Sequence, residues 1–334
     1  EKIVKNYFVI YHKFIKDLLI LKQKSKEREK VMKKCLALTL ALVLALGCTA
    51  CGGSGKKETT AETTAETAAA ESGETAAAGA DTEYKATDIE YHSVAEIQKR
   101  GVLHVATEAT FAPYAFKDAD GNIVGLEASM AQAMADDMGV ELVIDDMAFD
   151  SVLPSVQAGL DDVAIAALTP DAERQKSFTF TQSYLSNGQM SLVRKDDVDK
   201  FKDESAMVAG VTMGAQKGSY QQKVAETLYP DCTGRYLETI PNVVMDLKAG
   251  NIDIAIMDYD NAYSYAQQNE DLATAFVVPM LDGDEPANCA AAMKGNEDLT
   301  NYLNELIQKY IDDGSMQKWY EEAVELQLSL NETE

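Results

Sequence analysis

Two nine-residue stretches decide how this sequence folds: Ala158–Ala166 reads AGLDDVAIA and Ala249–Met257 reads AGNIDIAIM. Laid on one another without gaps, both carry a helix-ending glycine (Gly159, Gly250), an aspartate that opens a strand (Asp162, Asp253) and an Ala-Ile pair for the core. One short match can arise from shared turn chemistry alone. The order of elements around each copy has to decide.

Around the first copy, Val102–Thr107 reads as a strand and Phe116–Gly125 as a hairpin over Asp-Gly. Leu126–Met138 reads as a helix with Leu126, Met130, Met134 and Met138 on one face, stopped by Gly139. A strand at Val140–Ile144, a helix at Ser151–Ala158 and a strand at Asp162–Ala167 follow. The order β-α-β-α-β predicts a parallel sheet with right-handed crossovers. Around the second copy the reading is a strand at Ala206–Thr212, a glycine-bearing turn MGAQKGS, a helix at Ser219–Leu228, a short strand at Arg235–Leu237, a helix at Asn242–Ala249 and a strand at Ile252–Met257. The shared order favours two α/β lobes. Another apolar stretch, CAAAM, and two helical segments follow Pro286. The chain is therefore expected to leave lobe one near Asn187 and return near Pro286, giving lobe one as 89–187 and 287–330, lobe two as 188–286, and a two-strand hinge between them.

Net charge is −25, but residues 1–34 hold 11 Lys and Arg against 4 Asp and Glu, so the remainder carries −32. Such a surface repels phosphate backbones, and no basic, aromatic-interleaved stripe follows residue 34, so nucleic acid is excluded as a partner. The basic head leads into MKKCLALTLALVLALGCTACGGSG from Met32. Its apolar run is too short for a membrane span and suits a secretory signal over 32–50. Small residues ahead of Cys51 and Gly-Gly-Ser-Gly after it resemble a lipoprotein acceptor site, with Cys48 the competing acceptor. The segment 1–31 lacks a leading methionine, and its apolar part is interrupted by His12, Lys13, Lys16 and Asp17, so it is expected to be over-read upstream sequence. Residues 51–88 are Thr, Ala, Glu and Gly with almost nothing to bury, which predicts a solvated tether.

In an open parallel sheet, ligands gather outside the carboxyl ends of the strands. The stretch IAALTPDAER (Ile165–Arg174) ends one such strand. Thr169 suits an N-cap, Pro170 the first helical position and Asp171 the helix dipole, so a helix with free N–H groups is expected there, with Arg174 one turn in, its planar fork able to hold a carboxylate. The position matching Ala167 in the second copy is Asp258. A cation in one lobe and an anion at the corresponding place in the other would bridge a zwitterion of amino-acid size. His92 and His104 have no second ligand at metal spacing, and no metal or cofactor is expected. Cys232 and Cys289 fall in different segments and are expected to remain thiols. Trp319 is expected to anchor the terminal helix on lobe one.

The stretch from about His92 to Ala323 resembles the amino-acid-binding family of bacterial extracellular solute-binding proteins, the family 3 receptors that feed ABC importers. The matching pieces are VATEATFAPYAF, DGNIVGLE, FDSVLPSVQAGLDDVAIAALTPDAER, FTFTQSY, GAQKGS, LKAGNIDIAIMD and MQKWYEEA. The resemblance implies a two-lobed, periplasmic-binding-protein-like α/β fold in which each lobe is a mainly parallel sheet flanked by helices. It further implies that Arg174 and Thr169 hold a ligand α-carboxylate, Asp258 holds its α-ammonium, Phe111 and Phe149 sandwich its side chain, and Glu108, Gly218 and Ser219 line the remaining wall. Many relatives have serine or glycine where this chain has Ala166 and Ala167, so only the backbone could serve the ligand there. Glu108 stands where several basic-amino-acid receptors have aspartate, which hints at a polar or cationic ligand. The implied partners are an amino acid, an ABC permease and, through a lipid anchor only, the membrane; a monomer on the extracytoplasmic face is expected. An enzyme on the same scaffold, a dehydratase or lyase, and an amino-acid sensor domain are the alternatives, with Glu108 as the one plausible general acid or base.

Overall fold

In the computed structural model, residues 88–330 other than Asn187 are described. The expected leader, Cys48, Cys51 and the tether up to residue 87 lie outside them. Helix α1 (Val94–Arg100) is capped by the Ser93 hydroxyl and ended by Gly101 in the left-handed region. Strand β1 (Val102–Thr107) follows, then a small antiparallel sheet of β2 (Thr110–Phe111), β3 (Ala115–Lys117) and β4 (Ile123–Val124), then α2 (Leu126–Met138) and β5 (Glu141–Asp146). Next come α3 (Phe149–Gln157), β6 (Val163–Leu168), the single turn α4 (Arg174–Ser177) and β7 (Phe178–Phe180). The second half runs β8 (Gln189–Arg194), β9 (Thr212–Gln216), α5 (Tyr220–Leu228), β10 (Thr233–Leu237), α6 (Ile240–Ala249), β11 (Ile254–Asp258), α7 (Tyr259–Gln268) and β12 (Leu272–Val278). Strand β13 (Cys289–Met293) and helices α8 (Glu297–Asp312) and α9 (Ser315–Leu330) complete it.

Two five-stranded sheets result, ordered β5-β1-β6-β13-β7 and β10-β9-β11-β8-β12. In each, three parallel strands continue into an antiparallel strand supplied after a crossing: β8 enters the second sheet and β13 returns to the first. The central strands β6 and β11 are buried on both faces, which is why they read as continuous apolar runs rather than alternating ones. Leu126, Met130, Met134 and Met138 are all buried along one side of α2. Trp319 stacks edge-on against Tyr310 of α8, with ring centres 5.1 Å apart. Among the described residues, no helix is long and apolar enough to cross a membrane.

The repeated aspartate has the same task in both halves. Asp162 accepts from the His104 backbone N–H at 2.9 Å while its own N–H donates to the His104 carbonyl at 3.0 Å. Asp253 accepts from the Thr212 N–H at 2.9 Å and donates to the Thr212 carbonyl at 2.7 Å. Each stitches the third parallel strand to the first. Both sites also carry an arginine, Arg100 on Asp162 and Arg194 at 3.7 Å from Asp253. Burial alone would raise the Asp162 carboxyl, but bonds from His92 and Arg100 outweigh it and hold the group below the usual carboxylate range.

Two expectations are corrected. The strand expected at Ala206–Thr212 lies at Thr212–Gln216. A 3-10 turn at Glu204–Ala206, whose backbone Asp203 caps, and Gly210 at φ 91° use up the residues ahead of it. No helix starts at Thr169 either: the Asp171 carboxylate accepts from the Glu173 and Arg174 N–H groups at 2.8 and 3.1 Å, and the chain turns only once before β7 must pair with β13. Cys232 and Cys289 are both free thiols, the first immediately ahead of β10, the second buried in β13.

Candidate functional site

A cleft, about 460 Å³ with its open mouth included, lies between the carboxyl ends of the two sheets. It is lined from one lobe by Glu108, Phe111, Glu127, Phe149, Ala166, Ala167, Thr169 and Arg174, and from the other by Gln216, Ser219, Tyr220, Gln221, Ile240 and Asp258. Eight of the nine residues expected at the site are thus brought together, Gly218 being the exception. The lobes touch around this space: Lys217 meets Asp150 at 2.7 Å, Lys223 meets Asp171 at 2.9 Å, and the Tyr114 and Tyr320 hydroxyls both donate to Asp260 of α7.

Arg174 begins α4, and its side chain is largely buried. One terminal nitrogen donates to the Thr169 carbonyl at 3.0 Å and the other to the Gly218 carbonyl of the opposite lobe at 3.1 Å. A guanidinium has five N–H donors, so the second hydrogen of each terminal nitrogen remains for an anion. The Phe149 ring lies beneath it, 5.9 Å from ring centre to guanidinium carbon. Burial pulls the Arg174 pKa below its ordinary value, opposed by the nearby Asp171. The spare donors here thus belong to this side chain and not to a helix start with free backbone N–H groups, as was expected.

Three buried carboxyl groups share the cleft. Asp258 ends β11 opposite Gln189 of β8, and its Oδ1 accepts from Gln189 at 3.3 Å and Gln221 at 2.5 Å. Burial, then the charges of Asp260 and Glu127, push it up to about 7. Glu108 follows β1; one oxygen accepts from the Thr110 hydroxyl, while Oε2 is buried without a hydrogen-bond partner among the described residues. Burial raises its pKa as well. Glu127, which sequence reasoning missed, sits in the first turn of α2. A Cβ at Gly125 (φ 121°) would lie 2.3 Å from the Tyr114 carbonyl, and this close approach lets the Glu127 N–H donate to that same carbonyl at 2.9 Å. Its Oε1 accepts from the Ala167 N–H at 2.7 Å and from the Tyr184 hydroxyl. Burial lifts Glu127 to about 7, with the Glu108 charge adding to the effect.

Ala167 is consequently not a free backbone donor, contrary to expectation. It also adopts φ 49°, the left-handed region, which costs a non-glycine residue roughly 1 kcal/mol or more. Ala167→Gly is expected to raise stability by about 0.5–1 kcal/mol, measured by urea unfolding of the empty protein. Phe111 packs against the Ile240 and Met257 side of the second lobe and stacks on Tyr114, and Phe149 packs on the Val152 and Leu168 cluster. The two rings thus enter the cleft from separate supports.

Ser219 lines the cleft, but its hydroxyl is occupied: it caps α5 through the Gln222 N–H at 3.1 Å and donates to the Gln216 carbonyl at 2.6 Å. Gly218 is not part of the wall. At φ 74° its carbonyl takes the Arg174 bond, and a Cβ there would lie 2.8 Å from the Asp150 Cβ of the facing lobe. Gly218→Ala is expected to hinder closure and weaken ligand binding about tenfold or more, while the left-handed backbone costs the empty protein roughly 1 kcal/mol of stability, read by titration calorimetry beside urea unfolding. Gln216 and Gln221 were not anticipated, because amides carry no sequence signature of their own.

Two similar lobes on a two-segment crossover, with opposite charges facing one another over a shared cleft, define a ligand-gripping receptor fold. The sequence profile of the bacterial extracellular solute-binding proteins, family 3, matches residues 103–325, and the chain belongs to that family. It is 30% identical over 219 residues to the arginine-binding extracellular protein ArtP of Bacillus subtilis, covering 65% of this chain and 83% of the relative. It is 28% identical over 229 residues to the L-cystine-binding protein TcyJ of Escherichia coli, covering 67% and 85%. Among solved structures, an amino acid ABC transporter substrate-binding protein of Streptococcus pneumoniae bound to L-arginine is 37% identical with a TM-score of 0.65, covering 69% of this chain and 96% of that one. An ancestral amino-acid-binding protein described as a precursor of cyclohexadienyl dehydratase is 29% identical with a TM-score of 0.63, covering 69% and 98%.

Proposed function

We propose that this chain is the lipid-anchored, extracytoplasmic receptor of an ABC importer, and that it closes its two lobes on an L-amino acid whose side chain carries positive charge. The observation that supports the charge is the imbalance of the cleft: among the described residues lining it, Glu108, Glu127 and Asp258 face a single cation, Arg174. The ligand carboxylate takes the spare donors of Arg174, and its α-ammonium takes Asp258. That leaves the unpartnered Oε2 of Glu108 for the side-chain cation. A buried carboxylate without a partner is costly, so a ligand that supplies one gains most there. The relatives that bind arginine agree with this assignment.

The reading is tested by a thermal-shift screen of the purified chain against the common amino acids and cystine. Arginine, lysine or histidine should give the largest rise; a response confined to acidic or aliphatic amino acids contradicts it. Carboxyl groups near 7 are also what general acid–base chemistry uses, so the enzyme reading keeps one test. Recovery of the bound amino acid unchanged after prolonged incubation supports a receptor; its conversion supports an enzyme.

A further inference from the structure

A second cluster lies away from the cleft. His104 of β1 and Asp145 of β5 lie on one face of the first sheet, since paired neighbours His104↔Val143 and Ala106↔Asp145 point the same way along parallel strands. Asp161, in the turn before β6, comes up beside them. The His104 ring nitrogen is 3.3 Å from Asp145 Oδ2, and one donor atom from each of the three residues falls within 4.8 Å of the others. The sequence spacing of 41 and 16 residues hides this, and the expectation that His104 stands isolated does not hold.

Asp161 is the informative member. It is 2% exposed, one oxygen is fixed by the Ser155 hydroxyl of α3, and the other, Oδ1, has no hydrogen-bond partner among the described residues. A buried carboxylate oxygen left bare next to a second carboxylate is an arrangement that a cation relieves. His104 and Asp145 are half-exposed, so their side chains can rotate while Asp161 stays fixed. Donors held about 2.0–2.2 Å from a tetrahedral ion stand roughly 3.4 Å apart, so atoms within 4.8 Å of one another need draw in by at most about 1.4 Å.

The geometry points to a divalent metal site formed by His104, Asp145 and Asp161, of the imidazole-and-carboxylate kind that suits zinc, with the solvent side open for a water ligand. The donors come from two neighbouring strands and the turn that leads into a third, so a bound ion would clip β1, β5 and the start of β6 together. Phe149 of the cleft and Ser155 of the cluster are six residues apart on α3, about 9 Å along its axis, so the site is separate from the ligand cleft.

The test is a calorimetric titration of the untagged full chain with zinc chloride, run beside His104→Ala/Asp145→Asn. Both substituted positions are half-exposed, and melting without zinc checks that the variant folds. The wild type should take up one more equivalent of zinc than the double variant, and zinc should raise its melting temperature by several degrees more. Equal stoichiometry and equal shifts overturn the site. As a second measurement, cobalt(II) added to the wild type and to His104→Ala alone should give a visible difference spectrum; identical spectra would also overturn it.

Discussion

Replacing Arg174 with alanine is expected to weaken amino-acid binding by about 3–5 kcal/mol, because the ligand carboxylate would enter a cleft that already holds three buried acids and find no cation. A micromolar affinity corresponds to roughly 8 kcal/mol, so the variant should show no saturable binding in an ordinary titration. The substitution also removes the bond between the guanidinium and the Gly218 carbonyl, one of the contacts holding the lobes together. The Lys223 pair with Asp171 remains, so the fold itself should survive. Titration calorimetry reads the outcome. Binding within about 1 kcal/mol of the wild type would remove Arg174 from the site.

Affinity for a cationic amino acid is expected to fall by about 30-fold between pH 8 and pH 5.5 through Asp258, which must ionise to hold the α-ammonium. In the empty cleft Asp258 and Glu127 both stand at about 7, with Glu108 raised and Asp260 close by, while Arg174 is the only cation among the described residues that line the space. Below pH 7 a carboxyl must give up its proton before it can pair with an ammonium. Binding near pH 6 should therefore release protons, visible as a heat that changes with the ionisation enthalpy of the buffer. Stability of the empty protein runs the other way. Unfolded Asp and Glu let go of their protons near pH 4–4.5 and folded Asp258 and Glu127 only near 7, so the folded state holds more protons across that window and its stability falls as pH rises through it. A ligand affinity flat with pH, with no proton release, would contradict the assignment of these groups to the cation.

The two-lobed architecture could be read because the duplicated Asp162 and Asp253 mark the same joint in both halves, and each reports a strand, a preceding helix and its glycine stop. Asp258 was found through that duplication, as the counterpart of Ala167. Other parts left no trace. Glu127 looks like any acid in the first turn of a helix; only Gly125, held against Tyr114, brings it to the cleft. Gly218 reads as a turn glycine, whereas its use is to let two lobes approach. The helix expected at Thr169 fails because Asp171 competes for the backbone N–H groups that the helix would have left free. Strand β8 enters its sheet only after the chain has crossed between lobes, so no local alternation announces it.

The central claim concerns one small molecule held at both ends by separate lobes. A crystal structure of the chain with the amino acid that gives the largest thermal shift tests it most directly. The account predicts the ligand carboxylate on the Arg174 guanidinium and its α-ammonium within hydrogen-bond distance of Asp258, with the side-chain cation facing Glu108. A ligand bound to one lobe alone, or with its carboxylate turned away from Arg174, would contradict it.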